Sequence, residues 1–419
     1  MNEAVAPVAA DFPVLKLKHN EDRRVAAGHL WIFSNEVDTT ATPLPDFVPG
    51  TIVAVQSDRG KFLGYAYVNP HSLICARILS RHAGFAPGQG LLVHRLNVAL
   101  ALRQRLYARP YYRLVHGESD ELPGLVVDRY ADTLDELPGL VVDRYADTLV
   151  VPIGTAGMEV QKEQILAALE KVVKPKVIVF KNDSGARELE GLPAYVEAAR
   201  GKLPDEIEVM EGECTFRAPL ATGQKTGWFF DQAANRRQFL GLASGSARVL
   251  DAFSYVGAWG VQAAKAGSEV TCIDSSQPAL EAASRNAERN GVKLTTQKAD
   301  VFEALEELHA AREKFDVVII DPPAFIKRRK DAGKGEAAYK RLNQLAMQLL
   351  PRDGLLVSCS CSYHLEPGAL VDAIQKGGRH LGRFVQVISS GGQAPDHPIH
   401  PAIPESRYLK AFLCRVTHD

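Results

Sequence analysis

Two cysteines stand two residues apart in Ser358-Cys359-Ser360-Cys361-Ser362, at the end of a run, Gly354–Ser358, that reads as a β-strand. Carbon-5 of a cytosine is not nucleophilic. A thiolate that adds to carbon-6 turns it into an enamine carbon able to attack a methyl group, so carbon-5 chemistry demands a cysteine beside a methyl donor. A free thiol, with a pKa near 8.5, needs nearby positive charge or a base to serve this way. The plainer alternative is a pair of buried structural cysteines, which are common on core strands. A metal site built from Cys359, Cys361 and His364 lacks a fourth ligand at the usual spacing.

Asp321-Pro322-Pro323-Ala324-Phe325 follows the preceding strand-like run, Val317–Ile320. Two prolines stiffen a turn that could hold a carboxylate and a carbonyl against a planar base edge, with Phe325 stacked on the base. The same motif serves methylation of an exocyclic amine equally well. Upstream, Val249-Leu250-Asp251-Ala252-Phe253-Ser254-Tyr255-Val256-Gly257-Ala258-Trp259-Gly260 runs from a strand through a glycine-bearing turn into a helix, and the glycines permit close backbone approach to a ligand. The dinucleotide fingerprint GxGxxG is absent, which disfavours a nicotinamide-dependent dehydrogenase. Asp274, Asp300 and Asp321 follow the next three strands. An acid after the second strand suits a ribose diol, one after the third can accept from an adenine amino group, and Asp251 could face a cationic amino group. Together they describe S-adenosylmethionine. Each acid alone could equally be a helix cap.

These residues must be held by repeated strand–helix units. Strands are expected at Arg248–Ala252, Glu269–Ile273, Val292–Thr296, Val317–Ile320 and Gly354–Ser358, with two more near Phe384–Ser389 and Leu409–Val416. Helices are expected at Ala258–Ala266, Pro278–Asn290, Val301–Arg312 and Glu336–Leu350. Such alternation implies a doubly wound α/β sheet with ligands at the carboxyl ends of its strands. Residues 14–79 read as a small β-rich unit, with strands at Thr51–Val55, Phe62–Tyr67 and Ile74–Leu79 and a hairpin turn at Asp58-Arg59-Gly60. Residues 112–200 mix strands with a helix at Val160–Lys171, and Gly201-Lys202-Leu203-Pro204 marks a linker.

The basic groups are local. The chain has 419 residues and a net charge of −1, so bulk electrostatics cannot hold a polyanion. Residues 325–341 carry a net +5 from Lys327, Arg328, Arg329, Lys330, Lys334, Lys340 and Arg341 against Asp331 and Glu336. Their place beside the Asp-Pro-Pro turn suits phosphate contacts, although a charge run is usually a solvated helix face. A second cluster, Lys16, Lys18, Arg23 and Arg24, precedes Trp31 and Phe33; these aromatics suit RNA or are core of the β-rich unit. No apolar run approaches the roughly 18 residues of a membrane span, and the start lacks the pattern of a signal peptide. Six cysteines without CxxC pairs suggest a reducing, cytoplasmic setting.

Residues 120–134, DELPGLVVDRYADTL, recur letter for letter at 135–149. Solenoid repeats are longer, diverged and more numerous, so this pair reads as one recent duplication. Each copy holds four acids and one base, and loss of one copy takes the net charge from −1 to +2. A strand is expected at Leu125–Val127 and another through Thr148-Leu149-Val150-Val151. Either copy could fill the single place the fold provides.

RRVAAGHLWIFSNEV resembles the opening of a PUA domain. KTGWFFDQAANR, LDAFSYVGAWG, CIDSS, DPPAF and SCS occur in the order of the RlmI-like class I rRNA methyltransferases, a resemblance that spans nearly the whole chain. It implies a PUA-like RNA-binding domain at 14–82, an α+β middle domain at 90–204 carrying KNDSGARELEGL, and a Rossmann-like methyltransferase domain at 205–419. It further implies 5-methylcytosine formation in 23S rRNA, with Cys361 as nucleophile ahead of Cys359. Asp321 is expected on the base. Asp251, Ser254, Gly257, Gly260, Asp274, Ser275, Asp300, Phe230 and Asp231 are expected around S-adenosylmethionine, and Arg23, Arg24, Trp31, Phe325, Lys327, Arg328, Arg329 and Lys330 on RNA. A homodimer is admitted as an assembly; no metal and no membrane are expected. Competing readings are an N-methyltransferase with Cys361 structural, and an RNA-binding protein without activity.

Overall fold

The computed structural model describes residues 12–123, 140–220, 223, 226–240, 248–326 and 328–418. It divides into two compact units. One takes in the described residues up to Asp205 together with Asp396–Ser406; the other comprises the described residues of Glu206–Pro395 and Arg407–His418.

The first unit is built on two five-stranded sheets. In one, Val14–Lys16, Ile52–Gln56, Phe62–Val68, Ala76–Ser80 and Trp31–Ile32 lie side by side in that order. Alternation of β-branched and aromatic residues lets these short strands bury one common core, with Leu15, Val53, Val55, Ala66 and Ile78 inside. The other sheet runs Tyr195–Arg200, Val177–Asn182, Thr148–Val150, Val141–Tyr145, Tyr111–His116. Helix Gln89–Leu106 packs on it through Leu92 and Leu96.

Polar pairs tie the two sheets together. Glu190, from the KNDSGARELEGL segment, accepts from Asn69 Nδ2 at 2.6 Å and from the Ala156 amide, and lies 3.5 Å from the buried Arg77. Trp31 Nε1 donates to Glu118 at 2.8 Å. Trp31 is only 1 % exposed, so the expectation that it meets RNA is withdrawn: its ring is core, and its one polar atom is already satisfied inside the protein.

The duplicated segment contributes to this unit from both copies. Asp120 of the first copy holds Arg103 through two bonds of 2.5 and 2.7 Å. The second copy supplies strand Val141–Tyr145 and the first two residues of strand Thr148–Val150, and its Asp143 is buried against Arg113. The strand expected at Leu125–Val127 lies outside the described residues.

The second unit carries a seven-stranded sheet. Its strands are β1 (Arg248–Ala252), β2 (Glu269–Asp274), β3 (Thr295–Lys298), β4 (Val317–Ile320), β5 (Asp353–Ser360), β6 (Arg383–Gly391) and β7 (Lys410–His418), in the order β3-β2-β1-β4-β5-β7-β6. The first five are parallel, and β7 is antiparallel to both neighbours. Val317–Ile320 is buried throughout, as a strand covered on both faces must be.

Two boundaries differ from expectation by three residues or more. β3 begins at Thr295, not Val292. Gly291, at φ +71°, and Val292 still donate backwards to Glu288 and Ala287 to close helix Gln277–Arg289, so a strand cannot start there. The helix expected from Glu336 begins at Ala332, which puts part of the basic run on a helix.

Removing residues 124–138 restores a single uninterrupted copy between Pro123 and the second strand of the pair. We expect this deletion to leave the fold intact and to stabilise it by about 1 kcal/mol or less through the shorter closure. A lower melting temperature in the deletion variant would show that the surplus residues make stabilising contacts.

Candidate active site

Parallel order places the carboxyl ends of β3, β2, β1, β4 and β5 along one edge of the sheet, with the direction of winding reversing between β1 and β4. Ligands of doubly wound sheets bind at such a reversal. Asp300, Asp274, Asp251, Asp321 and Cys361 each lie at or just beyond one of these ends.

Asp251 is fully buried. Its Oδ2 accepts from the Gly260 amide at 2.9 Å, while Oδ1 has no hydrogen-bond partner. Burial pushes its carboxyl up to about 8. Gly260 is required here by packing: a Cβ would stand 2.7 Å from Cys272 Sγ and 3.1 Å from Asp251 Oδ2. The loop after β1 is conformationally costly. Phe253, Tyr255 and Gly257 have φ of +63°, +47° and +81°, a region that residues with side chains rarely adopt. Asp274 holds that loop: its Oδ2 accepts from the Tyr255 amide at 2.9 Å and its Oδ1 from Ser276 at 2.8 Å. Ser254 is buried and Ser275 exposed. Asp300 is exposed and caps helix Val301–Ala310, accepting from Phe302 and Glu303. The cap and a ligand role are compatible, since a carboxylate has further lone pairs.

Asp321 is clamped by side chains on both oxygens. Gln232 Nε2 donates to Oδ1 at 2.9 Å, and Trp259 Nε1 donates to Oδ2 at 3.1 Å. Burial raises this carboxyl to about 6 in spite of those bonds. Neither partner was singled out from sequence, although both lie in quoted motifs. Phe230 and Asp231 are buried next to Gln232, and Tyr408 donates to Asp231 Oδ2 at 2.7 Å.

The two cysteines separate by burial. Cys359 lies in an apolar cluster with Trp259, Val317 and Leu413, and burial drives its thiol well above the usual value. Cys361 is partly exposed, with Sγ 3.9 Å from the Pro322 carbonyl. It therefore adjoins the Asp-Pro-Pro turn. Phe325 is half-buried and packs on Tyr339 with ring centres 4.8 Å apart.

On the basic side, Arg329 and Lys330 are exposed and Arg328 is half-buried; Lys327 lies outside the described residues. Arg23 is exposed. Arg24 is already engaged, bonding Glu36 at 2.7 and 2.9 Å and lying over Phe33, so only Arg23 of this pair presents an uncommitted charge to solvent. Among the described residues no cluster of His, Cys, Asp or Glu could hold a metal ion, and no helix is long and apolar enough to cross a membrane.

Residues 15–81 match the model of a PUA-like domain, and residues 194–415 that of an S-adenosylmethionine-dependent methyltransferase. A ribosomal RNA large subunit methyltransferase I from Photobacterium profundum is 34% identical over 409 residues, covering 96% of this chain and 98% of its own. Proteins of that name from Erwinia tasmaniensis and Vibrio cholerae are 33% identical over 410 and 415 residues, covering 96% of this chain and 99% of theirs. The chain belongs to this family of methyltransferases. Its fold is that of a protein from Streptococcus mutans described as a SAM-dependent methyltransferase, with a TM-score of 0.77 at 19% identity, covering 96% of this chain and 100% of that one. A second solved methyltransferase of the same fold, complexed with SAH, gives a TM-score of 0.78 with the same identity and coverage.

S-adenosylmethionine is thus the methyltransferase's cofactor, and the residues fit it. A buried carboxylate oxygen without a donor is what a cationic amino group would satisfy, and the open loop after β1 suits close approach. We expect Asp251→Asn to weaken S-adenosylhomocysteine binding at least tenfold by calorimetry, about the value of one charge-assisted hydrogen bond. The cofactor-free protein has a definite pH signature. A carboxyl at about 8 instead of 3.8 keeps its proton in the folded state where the unfolded chain has lost it. Stability should therefore fall as pH rises from about 4 to about 8. The Asn variant should show a flatter melting-temperature profile over that window.

Proposed function

We propose that this methyltransferase forms 5-methylcytosine in 23S rRNA through a covalent adduct on Cys361. The observation that carries the reading is the placement of a partly exposed cysteine at the end of β5, against the Asp-Pro-Pro turn at the end of β4. The cofactor, when bound, supplies an electrophilic methyl group. Asp251, Ser254, Gly257, Gly260, Asp274, Ser275, Asp300, Phe230 and Asp231 are proposed to surround it.

Cys361 attacks carbon-6: the S–C6 bond forms as the carbon-5/carbon-6 π pair shifts into the ring. Asp321, with a carboxyl raised to about 6, keeps a share of its proton near neutral pH and can give it to N3, which accepts the displaced charge. Carbon-5 then takes the methyl group. N3 returns its proton to Asp321, and transfer of the carbon-5 proton to solvent water expels the thiolate and restores the aromatic ring. The base must be unpaired or flipped out to meet these groups.

The RNA is proposed to be held by a PUA-like domain at 14–82, with Arg23 exposed on it, and by Arg328, Arg329 and Lys330 beside Phe325. The middle domain is proposed at 90–204 and the methyltransferase domain at 205–419. A cytoplasmic setting agrees with six unpaired cysteines, and a homodimer remains a proposal on the resemblance alone.

Tritiated methyl transfer to rRNA fragments, followed by nucleoside analysis, tests the product. We expect label in 5-methylcytidine, and Cys361→Ala to lower turnover by at least a thousandfold while S-adenosylhomocysteine still binds. Label in N-methylguanosine or N-methyladenosine, with turnover kept in that variant, would overturn the proposal.

A further inference from the structure

Lys410 opens β7, directly across the ladder from Ser360 of β5. It is 5% exposed. Its Nζ donates to the carbonyl of Ser362, the residue after Cys361, and to the Tyr408 carbonyl at 2.8 Å. An ammonium has three donors, so one is left. Among the described residues no carboxylate lies within ion-pair distance of it. A buried cation without an anion is costly, and such groups are paired or lose their charge.

The charged and titratable groups facing Lys410 are Cys361, Glu366 and Arg407. Glu366 is exposed, and Arg407 repels. Cys361 in turn is felt by Tyr339 and by Cys359. Tyr339 stays protonated, its hydroxyl bonded to Ser360 and Ser362, and Cys359 is buried among apolar side chains. Of these described groups, the sulfur of Cys361 is the one that can become a counter-ion at little cost.

We propose that Lys410 is a positioning residue for the reaction: it pins the Ser360–Ser362 turn through the Ser362 carbonyl and holds the Cys361 sulfur as a thiolate. This deepens the proposal that Cys361 is the nucleophile. Burial brings the Lys410 ammonium down to about 8, a range in which it can exchange a proton with a thiol. An S–H bond breaks at Cys361 and an N–H bond forms on neutral Lys410, a transfer relayed by solvent at the partly exposed sulfur, so total charge is unchanged. Elimination of the product returns the thiolate and resets the pair.

The other five cysteines are buried, so alkylation of the native full-length protein by iodoacetamide reads Cys361, with Cys361→Ala as the blank. In the wild type the rate–pH midpoint should fall at least one unit below the ordinary thiol value of about 8.5. Lys410→Met should raise the midpoint by about one unit or more and slow alkylation at pH 7 about tenfold, with unchanged affinity for S-adenosylhomocysteine. Lys410→Arg should restore much of the low midpoint. A wild-type midpoint at or above 8.5, or a Lys410→Met profile superimposable on the wild type, overturns the proposal. The wild-type arm decides even where the Met variant fails to fold. Failure of the nucleophile reading would show separately, as retained methyl transfer in Cys361→Ala.

Discussion

Carboxylates buried at the ends of adjacent strands are costly, and the methyltransferase unit is arranged around keeping two of them there. Asp251, fully buried in β1, and Asp321, partly buried one residue beyond the neighbouring β4, are both raised by burial. Neither is neutralised by a bonded cation. Each is held by neutral N–H donors instead: a backbone amide for Asp251, an indole and a carboxamide for Asp321. Trp259 and Gly260 are consecutive in one helix, so a single turn of helix Ala258–Lys265 serves both acids. That coupling explains the tight packing of Gly260, where any side chain would push this turn away from β2.

The same helix entrance carries the strained loop. Three consecutive alternations into positive φ would unfold readily if nothing held them, and Asp274, from the next strand, accepts from the Tyr255 amide between them. The loop after β1 and the helix it enters are therefore held from β1, β2 and the end of β4, through Asp251, Asp274 and Asp321. Strand order then does the rest. β4 and β5 are neighbours in register, Ile320 opposite Ser358, so the turn after one and the residues after the other must meet. Cys361, one residue beyond β5, falls against Pro322, whereas Cys359, two residues earlier, remains inside the sheet layer. The difference between a buried and a partly exposed cysteine here is the length of the strand.

That difference also measures how much the sequence discloses. Periodic apolar runs and helix punctuation locate β1 and β4 to the residue and β2 and β5 within two residues, because burial leaves apolar runs, whereas the polar, largely exposed β3 is expected three residues too early. The acids and the cysteine are legible because they recur at strand ends. What stays hidden is long-range. Nothing near Gln232 says that it will meet Asp321, 89 residues later, and Lys410 opens a strand whose first five residues are all buried, 49 residues beyond the cysteine whose turn it caps. Trp31 shows the opposite failure. An aromatic beside a basic cluster suggests a nucleic-acid platform, but its partner Glu118 is 87 residues away, and only the packed structure shows that the indole is already used.

Duplicated residues obey the same logic. An identical repeat gives the chain two equivalent candidates for each contact, and local preference cannot choose between them. Contacts decide. Arg103 takes Asp120 of the first copy, next to the helix that carries Arg103, while Arg113 takes Asp143 of the second, on the strand paired with its own. Each choice satisfies a buried guanidinium by a nearby bidentate carboxylate. Among the described residues, 120–123 come from the front of one copy and 140–149 from the back of the other. Insertion at that point costs only the slow logarithmic growth of closure entropy, so a chain with fifteen extra residues can keep its buried ion pairs and the strands around them.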